Sequence, residues 1–312
     1  MIHIIAPFVS GNGGDWHAID LFVQYSKTHQ VMLWSQQPPL DALKTKYPIQ
    51  EIKPYSGQVP NKGILIISGA RTEIGHWIKQ SSFNQIIMLH NLLSPGILYR
   101  ALKSLQKNSK NNIEIVYVSD LVKQFSGLPG RTVYHAPPPE RFQPKTRNAD
   151  TNRTFTVGRT STDILAKHHY SDIKVYKALA NEGINIRITG GTCLIPWLED
   201  YRSISLLPVV NQSQLVDTYN EMDCFYYRVP STVKDPFPIV VMEAMLSGLP
   251  VVCHRDVGSI EVIKHGVNGF IFDTYKEAIE IIKTLKNNAN LCKEIGMQAV
   301  QSCNAKETNT ES

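Results

Sequence analysis

The chain has 312 residues, 42% of them hydrophobic and 19% charged, which suits two globular domains and excludes wholesale disorder. Five scattered cysteines (Cys193, Cys224, Cys253, Cys292 and Cys303) form no C-x-x-C pair and no metal-like spacing, so reduced thiols in a cytosolic compartment are expected and no metal centre. A net charge of +5 fits an anionic partner but is too diffuse to choose among nucleotide, membrane surface and nucleic acid, and no stretch approaches the roughly 20 apolar residues of a membrane span.

The first six residues, MIHIIA, carry no basic leader, so residues 2–8 are expected as a first strand rather than a signal peptide. Val9-Ser10-Gly11-Asn12-Gly13-Gly14-Asp15 follows, then a helical pattern with Ile19, Leu21, Phe22 and Tyr25. Strand, Gly-rich turn and helix let backbone amides approach a phosphate, although a flexible turn has the same composition. The G-x-G-x-x-G spacing of a dinucleotide site is absent. Residues 31–34, 63–68 and 86–91 read as further strands. His90 falls at the carboxyl end of the last of these, where open α/β sheets bind ligands and where a lone histidine is also an ordinary structural residue. Asp15 and His17 are weaker candidates, because a helix start alone accounts for an acidic residue. Residues 97–107 form an amphipathic helix with a basic face, suited to solvent or to an anionic membrane surface. Residues 115–119 are the next strand.

The proline-rich run at 134–144 forbids continued helix. With the polar residues 145–153 as linker, the expected division is 1–144, 145–290, and a C-terminal helix and polar tail over 291–312, frayed from Asn304. A strand at 154–157 leads to Gly158-Arg159, with Lys167 eight residues on. A guanidinium fork and an ammonium at a strand end could clamp a diphosphate, although each taken singly is an ordinary surface cation. Helix at 172–179, strand at 184–189 with the Gly190-Gly191 turn, strand at 205–209, helix at 215–219 and strand at 223–227 follow. The sharpest stretch is Asp235-Pro236-Phe237-Pro238-Ile239-Val240-Val241-Met242-Glu243, leading through Ala244-Met245 to Gly248-Leu249-Pro250-Val251-Val252. Asp235-Pro236 reads as a helix cap and first turn, with Glu243 two turns along. Amides there would face an anion, and the carboxylates would accept from sugar hydroxyls. Gly258-Ser259-Ile260-Glu261, a Gly266-to-Ile271 turn and strand, and helices at 275–286 and 289–303 complete the chain. Strand and helix alternate in both halves, which argues for two parallel-sheet domains.

The Asp235-x7-Glu243 stretch and its Ala-Met-x-x-Gly-x-Pro-Val-Val continuation resemble the donor motif of GT-B glycosyltransferases of family GT4, there Glu-x7-Glu. Asp235 stands where the family usually has Glu, and Pro238 where it commonly has Gly, a residue with an N–H to offer. The resemblance implies a GT-B fold, two Rossmann-like parallel-sheet domains facing across a cleft. It implies a retaining hexosyltransferase that needs no metal and no cofactor, using a nucleotide diphosphate sugar as donor. Within it, Gly13 and Gly14 would lie near the donor diphosphate, and His90 would orient the transferred sugar. Arg159 and Lys167 would contact phosphate oxygens. Gly190 and the Pro208-Val209 step would lie near the nucleobase, and Glu243 would hold the ribose. Asp235 would hold a sugar hydroxyl, with Phe237, Pro238 and Ile239 beside the sugar or phosphate. The implied acceptor is a glycan or lipid-linked molecule of surface polysaccharide or lipopolysaccharide synthesis. The implied location is cytoplasmic, peripheral at the inner membrane face, with no nucleic acid partner. A non-catalytic sugar-nucleotide binding protein and a sugar-nucleotide epimerase are the alternatives on the same scaffold.

Overall fold

Short aliphatic runs form the strands of two parallel sheets in the computed structural model, which describes residues 1–11, 13–144 and 153–307. The chain divides into two compact units, Met1–Pro138 and Pro139–Ser312. The first comprises β1 (Ile2–Ile5), α1 (Gly13–Tyr25), β2 (Val31–Ser35), α2 (Asp41–Lys46), β3 (Ile49–Glu51), β4 (Ile64–Ser68), β5 (Gln85–His90), α3 (Pro95–Asn108), β6 (Ile113–Tyr117), α4 (Asp120–Ser126) and β7 (Arg131–Thr132). Its seven strands run in the order β3-β2-β1-β4-β5-β6-β7, with every neighbouring pair parallel. All four residues of β1 are buried, as expected where helices cover both faces of a parallel sheet.

The second unit comprises β8 (Thr156–Thr160), α5 (Asp172–Asn181), β9 (Asn185–Thr189), α6 (Ile195–Leu198), β10 (Ile204–Leu207), α7 (Gln212–Asn220), β11 (Cys224–Tyr227), α8 (Ile239–Leu246), β12 (Val251–His254), β13 (Phe270–Phe272), α9 (Tyr275–Asn287) and α10 (Ala289–Glu307). Its six strands run β10-β9-β8-β11-β12-β13, again all parallel. Val157, Val175, Leu179, Ile186, Ile188, Tyr226, Val252, Phe272 and Ile282 join in one buried cluster of this unit. The two Rossmann-like sheets agree with the expected fold class.

Several local expectations need correction. The first strand ends at Ile5, not Phe8: Pro7 interrupts the ladder and Phe8 turns to φ +53°. Gly13 and Gly14 lie in the first turn of α1 rather than in a loop. The strand expected at 154–157 is displaced to Thr156–Thr160, so Arg159 lies inside it. Gly158 permits this, because a Cβ there would stand 2.0 Å from the Met222 sulfur. α10 continues to Glu307, through part of the tail expected to fray from Asn304. The strands β3 and β7 and the short helices α2 and α4 were not expected. The linker expected at 145–153 lies outside the described residues except for Arg153, as does the tail from 308. No helix among the described residues is long and apolar enough to cross a membrane.

Candidate functional site

The sheet of the second unit grows outward in both directions from the β8–β11 pair, and such a switch point opens a crevice at the strands' carboxyl ends. Arg159 and Thr160 end β8, and Tyr227 ends β11 beside them. Arg159 is 1% exposed. Its Nη2 donates to the Lys167 carbonyl, and its guanidinium carbon lies 4.8 Å from the centre of the Tyr227 ring. Its Nε and Nη1 have no partner in hydrogen-bonding geometry, although the Tyr176 hydroxyl is near enough to interact with the guanidinium. Burial opposes its charge, but Tyr176, Asp172, Tyr227 and Tyr226 outweigh that and hold its pKa above the ordinary value.

Lys167 and Asp235 meet in this place, 68 residues apart in sequence. Lys167 Nζ donates to Asp235 Oδ2 at 2.8 Å. The Tyr227 hydroxyl donates to the same oxygen at 2.9 Å. Burial first, then Asp235, keeps the Tyr227 pKa far above its ordinary value, so the phenol stays a donor. Arg159, Lys167, Asp235 and Tyr227 thus form one cluster at the β8 and β11 ends.

Asp235 is not the cap of α8. The helix starts at Ile239 with Pro238 as its N-cap, and Glu243 lies about one turn in rather than two. Each proline biases the residue before it toward extended backbone, so Asp235 and Phe237 stay out of the helix. Asp235 instead pairs with Val257 as an isolated bridge, and its carbonyl accepts from the Gly258 amide at 2.9 Å. Ile239 begins the first turn, whose first amides lack intrahelical partners, while the Val241 amide donates to the Pro238 carbonyl at 3.1 Å. Buried Glu243 lies 2.7 Å from the Tyr219 hydroxyl. Burial, then Glu243, raises the Tyr219 pKa well above its usual value, which keeps that hydroxyl as the donor.

Gly190 holds φ +74°, and an added Cβ would stand 1.9 Å from the Ser161 carbonyl oxygen. The amides of Gly190 and Gly191 both donate to the Leu207 carbonyl. His168 Nε2 lies 3.1 Å from the Gly190 carbonyl, so the turn is held close to the β8 end. Pro208 and Val209 follow β10 on the exposed surface, with Val209 57% exposed.

The remaining expected residues lie in the first unit. His90 is fully buried at the end of β5, with its ring edge-on to Tyr117. Neither ring nitrogen has a partner in hydrogen-bonding geometry, although the Leu92 backbone is near enough to offset part of the burial, which pushes the pKa down to about 4. Gly13 is exposed and Gly14 half-buried. Asp15 binds the preceding loop: it accepts from the amides of Phe8 (2.9 Å), Ser10 (3.1 Å) and Gly11 (2.8 Å). His17 stacks on His135 at 3.9 Å.

Tyr227, Tyr219, His168 and Asp172 were not singled out from the sequence. The one available signal was the Tyr226-Tyr227 pair ending an expected strand, because alternation sends the two rings to opposite faces. Tyr226 accordingly donates to Asp172 (2.7 Å) while Tyr227 reaches Asp235. Among the described residues, no group of three or more His, Cys, Asp or Glu side chains could hold a metal ion.

The buried histidines give a testable pH dependence. Burial depresses His90, His168 and His169 to about 4 from 6.5. Their contribution to stability is complete above pH 6.5 and is lost as pH falls toward 4, because the unfolded chain then binds protons that the fold refuses. Buried Asp172, raised to about 6 from 3.8, works in the opposite sense and loses its contribution as pH rises through 6. His3, His17 and His254 are likewise held below their ordinary value, burial being the largest cause in each. The histidines thus outweigh the one raised carboxyl, and stability should fall by at least a few kcal/mol between pH 7 and pH 4.5. Urea midpoints at the two pH values check this, and a higher midpoint at pH 4.5 contradicts it.

Comparison with known proteins adds the following. A family model described as glycosyl transferases group 1 matches residues 137–302. The uncharacterized glycosyltransferase MJ1607 of Methanocaldococcus jannaschii is 35% identical over 100 residues, 30% of this chain and 25% of its own length. The capsular polysaccharide biosynthesis glycosyltransferase CapM of Staphylococcus aureus is 24% identical over 159 residues, 46% of this chain and 40% of its own. The chain thus spans a quarter to two fifths of these curated relatives. Anabaena Alr3699/HepE, solved with UDP and glucose, matches 100% of this chain and 99% of its own with a TM-score of 0.73 at 16% identity. WaaG, a glycosyltransferase involved in lipopolysaccharide biosynthesis, matches 100% of this chain and 99% of its own with a TM-score of 0.65 at 12% identity. At such identities the structural likeness establishes the fold, GT-B.

Proposed function

The chain belongs to the glycosyl transferases group 1 family, and on that premise we propose that it moves a hexose-type sugar from a nucleotide diphosphate sugar to a hydroxyl of a glycan or lipid-linked acceptor. The observation that carries this is the Arg159–Lys167–Asp235–Tyr227 cluster at the β8–β11 switch point. Arg159 has two buried nitrogens without partners in hydrogen-bonding geometry, which suits a diphosphate. The contacts on Asp235 fall on Oδ2, and Oδ1 suits a sugar hydroxyl. Glu243, one turn into α8, is assigned to the ribose hydroxyls, and the Ile239 amide and the Phe237-Pro238 step to the sugar or phosphate. Gly190, Pro208 and Val209 are assigned to the nucleobase, and Gly13 and Gly14 to the diphosphate.

As the sugar–phosphate bond breaks, Arg159 and Lys167 take up the charge developing on the leaving diphosphate, so the step needs neither a metal nor a cofactor. The acceptor hydroxyl attacks on the face the diphosphate leaves, a phosphate oxygen takes its proton, and anomeric configuration is retained. His90, neutral and without a partner in hydrogen-bonding geometry, is assigned to orienting the sugar. Alr3699/HepE was solved with UDP-glucose, which makes a uridine diphosphate hexose the first donor to try. CapM and WaaG serve capsular polysaccharide and lipopolysaccharide synthesis, which supports a surface-glycan acceptor met at a cytoplasmic membrane face.

Glu243→Gln tests the ribose assignment. It keeps the shape and the contact to Tyr219 but loses the charge, so nucleoside diphosphate affinity should fall about tenfold, in the range for charged hydrogen bonds. Titration calorimetry reads this directly. Unchanged affinity in a folded variant removes Glu243 from the donor site.

A further inference from the structure

A second guanidinium at the carboxyl end of β11 has no role in the donor cluster. Arg228 is 8% exposed, and its Nε and Nη1 have no hydrogen-bond partner. Its Nη2 lies 3.2 Å from His169 Nε2. The Ser171 amide faces His169 Nδ1 at 3.0 Å, so a neutral ring offers one acceptor nitrogen to two donors, this guanidinium and that amide. A charged ring would offer none, and burial together with Arg228 and His254 holds His169 neutral. Two guanidinium nitrogens therefore lie buried without an acceptor, and the third competes with the Ser171 amide for one imidazole.

The surrounding groups are occupied elsewhere. His254 accepts from the Asp256 amide at 3.2 Å through Nδ1, and its Nε2 faces the Asp273 carbonyl at 3.3 Å. Asp172 accepts from the Tyr226 hydroxyl at 2.7 Å and from the His169 amide at 3.3 Å. Arg159 and Arg228 both act on this one buried carboxylate. Two buried guanidinium ions thus draw on the same carboxylate, and each leaves Nε and Nη1 without a partner in hydrogen-bonding geometry. A buried charge without an acceptor is costly, and an anion relieves that cost.

We propose that Arg228, with the His169 ring beside it, is an oxyanion subsite that takes a phosphate or carboxylate oxygen of the substrate. The subsite deepens the donor assignment and rests on it only for which oxyanion fills it: the donor's own diphosphate, or the acid group of a charged sugar or acceptor. It also gives Arg228 a signature opposite to that of a structural arginine, because its removal should relieve the anion-free protein.

Thermal unfolding of wild type, Arg228→Met and Arg159→Met in phosphate- and sulfate-free buffer tests this, with pyrophosphate, UDP and glucuronate as separate probes. Arg228→Met should unfold at or above the wild-type temperature without anion. At least one anion should raise the wild-type midpoint and bind Arg228→Met at least tenfold more weakly. A response to pyrophosphate and UDP assigns the subsite to the diphosphate, and one to glucuronate alone assigns it to an acid group. A lower midpoint for anion-free Arg228→Met, no shift with any probe, or equal shifts in both proteins overturns the proposal. Pyrophosphate binding through Arg228 with UDP inert on every variant would sink the uridine donor assignment and leave the subsite standing.

Discussion

Replacing Arg159 with methionine is expected to lower kcat/KM for the nucleotide sugar by about 10²–10³-fold, the range for removing one preorganised charge-stabilising donor. The effect is large because Arg159 acts twice. Its free edge is assigned to the diphosphate, and its Nη2 holds the Lys167 carbonyl, which sets the backbone from which Lys167 reaches Asp235. Methionine has similar reach and is apolar, so the side chain still fills the space beside Tyr227. The fold should tolerate the change, because it removes a buried charge with two unpartnered nitrogens. Arg159→Lys should rescue little of the rate, since a single ammonium cannot both hold the Lys167 carbonyl and present a fork. Steady-state kinetics beside a urea midpoint check the pair of expectations. Turnover within threefold of wild type would remove Arg159 from the leaving-group role.

Gly190→Ala is expected to cost the fold about 3 kcal/mol or more, from a left-handed backbone and a forced backbone shift together. The new methyl would stand 1.9 Å from the Ser161 carbonyl oxygen at φ +74°, against backbone that no rotamer change can clear. Ser161 follows β8 directly and its amide donates to the Thr189 carbonyl, so yielding there strains the β8–β9 pairing that carries Arg159. Gly13→Ala is the control. Nothing lies within 4 Å of its Cβ position, and it opens a helix, where alanine is favoured. It should leave stability unchanged or slightly raised. Chemical denaturation of the two variants separates a glycine the turn requires from one the helix merely tolerates. Equal midpoints would show that the Ser161 contact is not limiting.

What was legible in the sequence followed from local physics. Runs such as 64–67 and 251–253 are apolar throughout because both faces of a parallel strand are covered, and each lies in a strand. β3 and β7 escaped because they are three and two residues long, too short to show a pattern. The cap at Asp235 failed for a local reason that the prolines already carried: Pro236 and Pro238 each hold the preceding residue out of helix. The site itself was legible as residue types and not as contacts. Arg159, Lys167, Asp235 and Glu243 could be chosen from spacing and resemblance. Tyr227 under Arg159, Tyr219 on Glu243 and His169 against Arg228 depend on which strands are neighbours and which face each residue takes. The β8–β11 adjacency, which joins strands separated by two others in sequence, decides the first and the last of these contacts.

The central claim is that the second unit binds a nucleotide diphosphate sugar at the β8–β11 switch point and activates it through Arg159 and Lys167. Release of nucleoside diphosphate from UDP-, GDP- and ADP-hexoses, measured with acceptor extract and excess EDTA, tests it most directly. The expected result is release from one of these donors, undiminished by EDTA and lost in Arg159→Met. Absence of release from every donor, with no nucleotide binding by calorimetry, would contradict it.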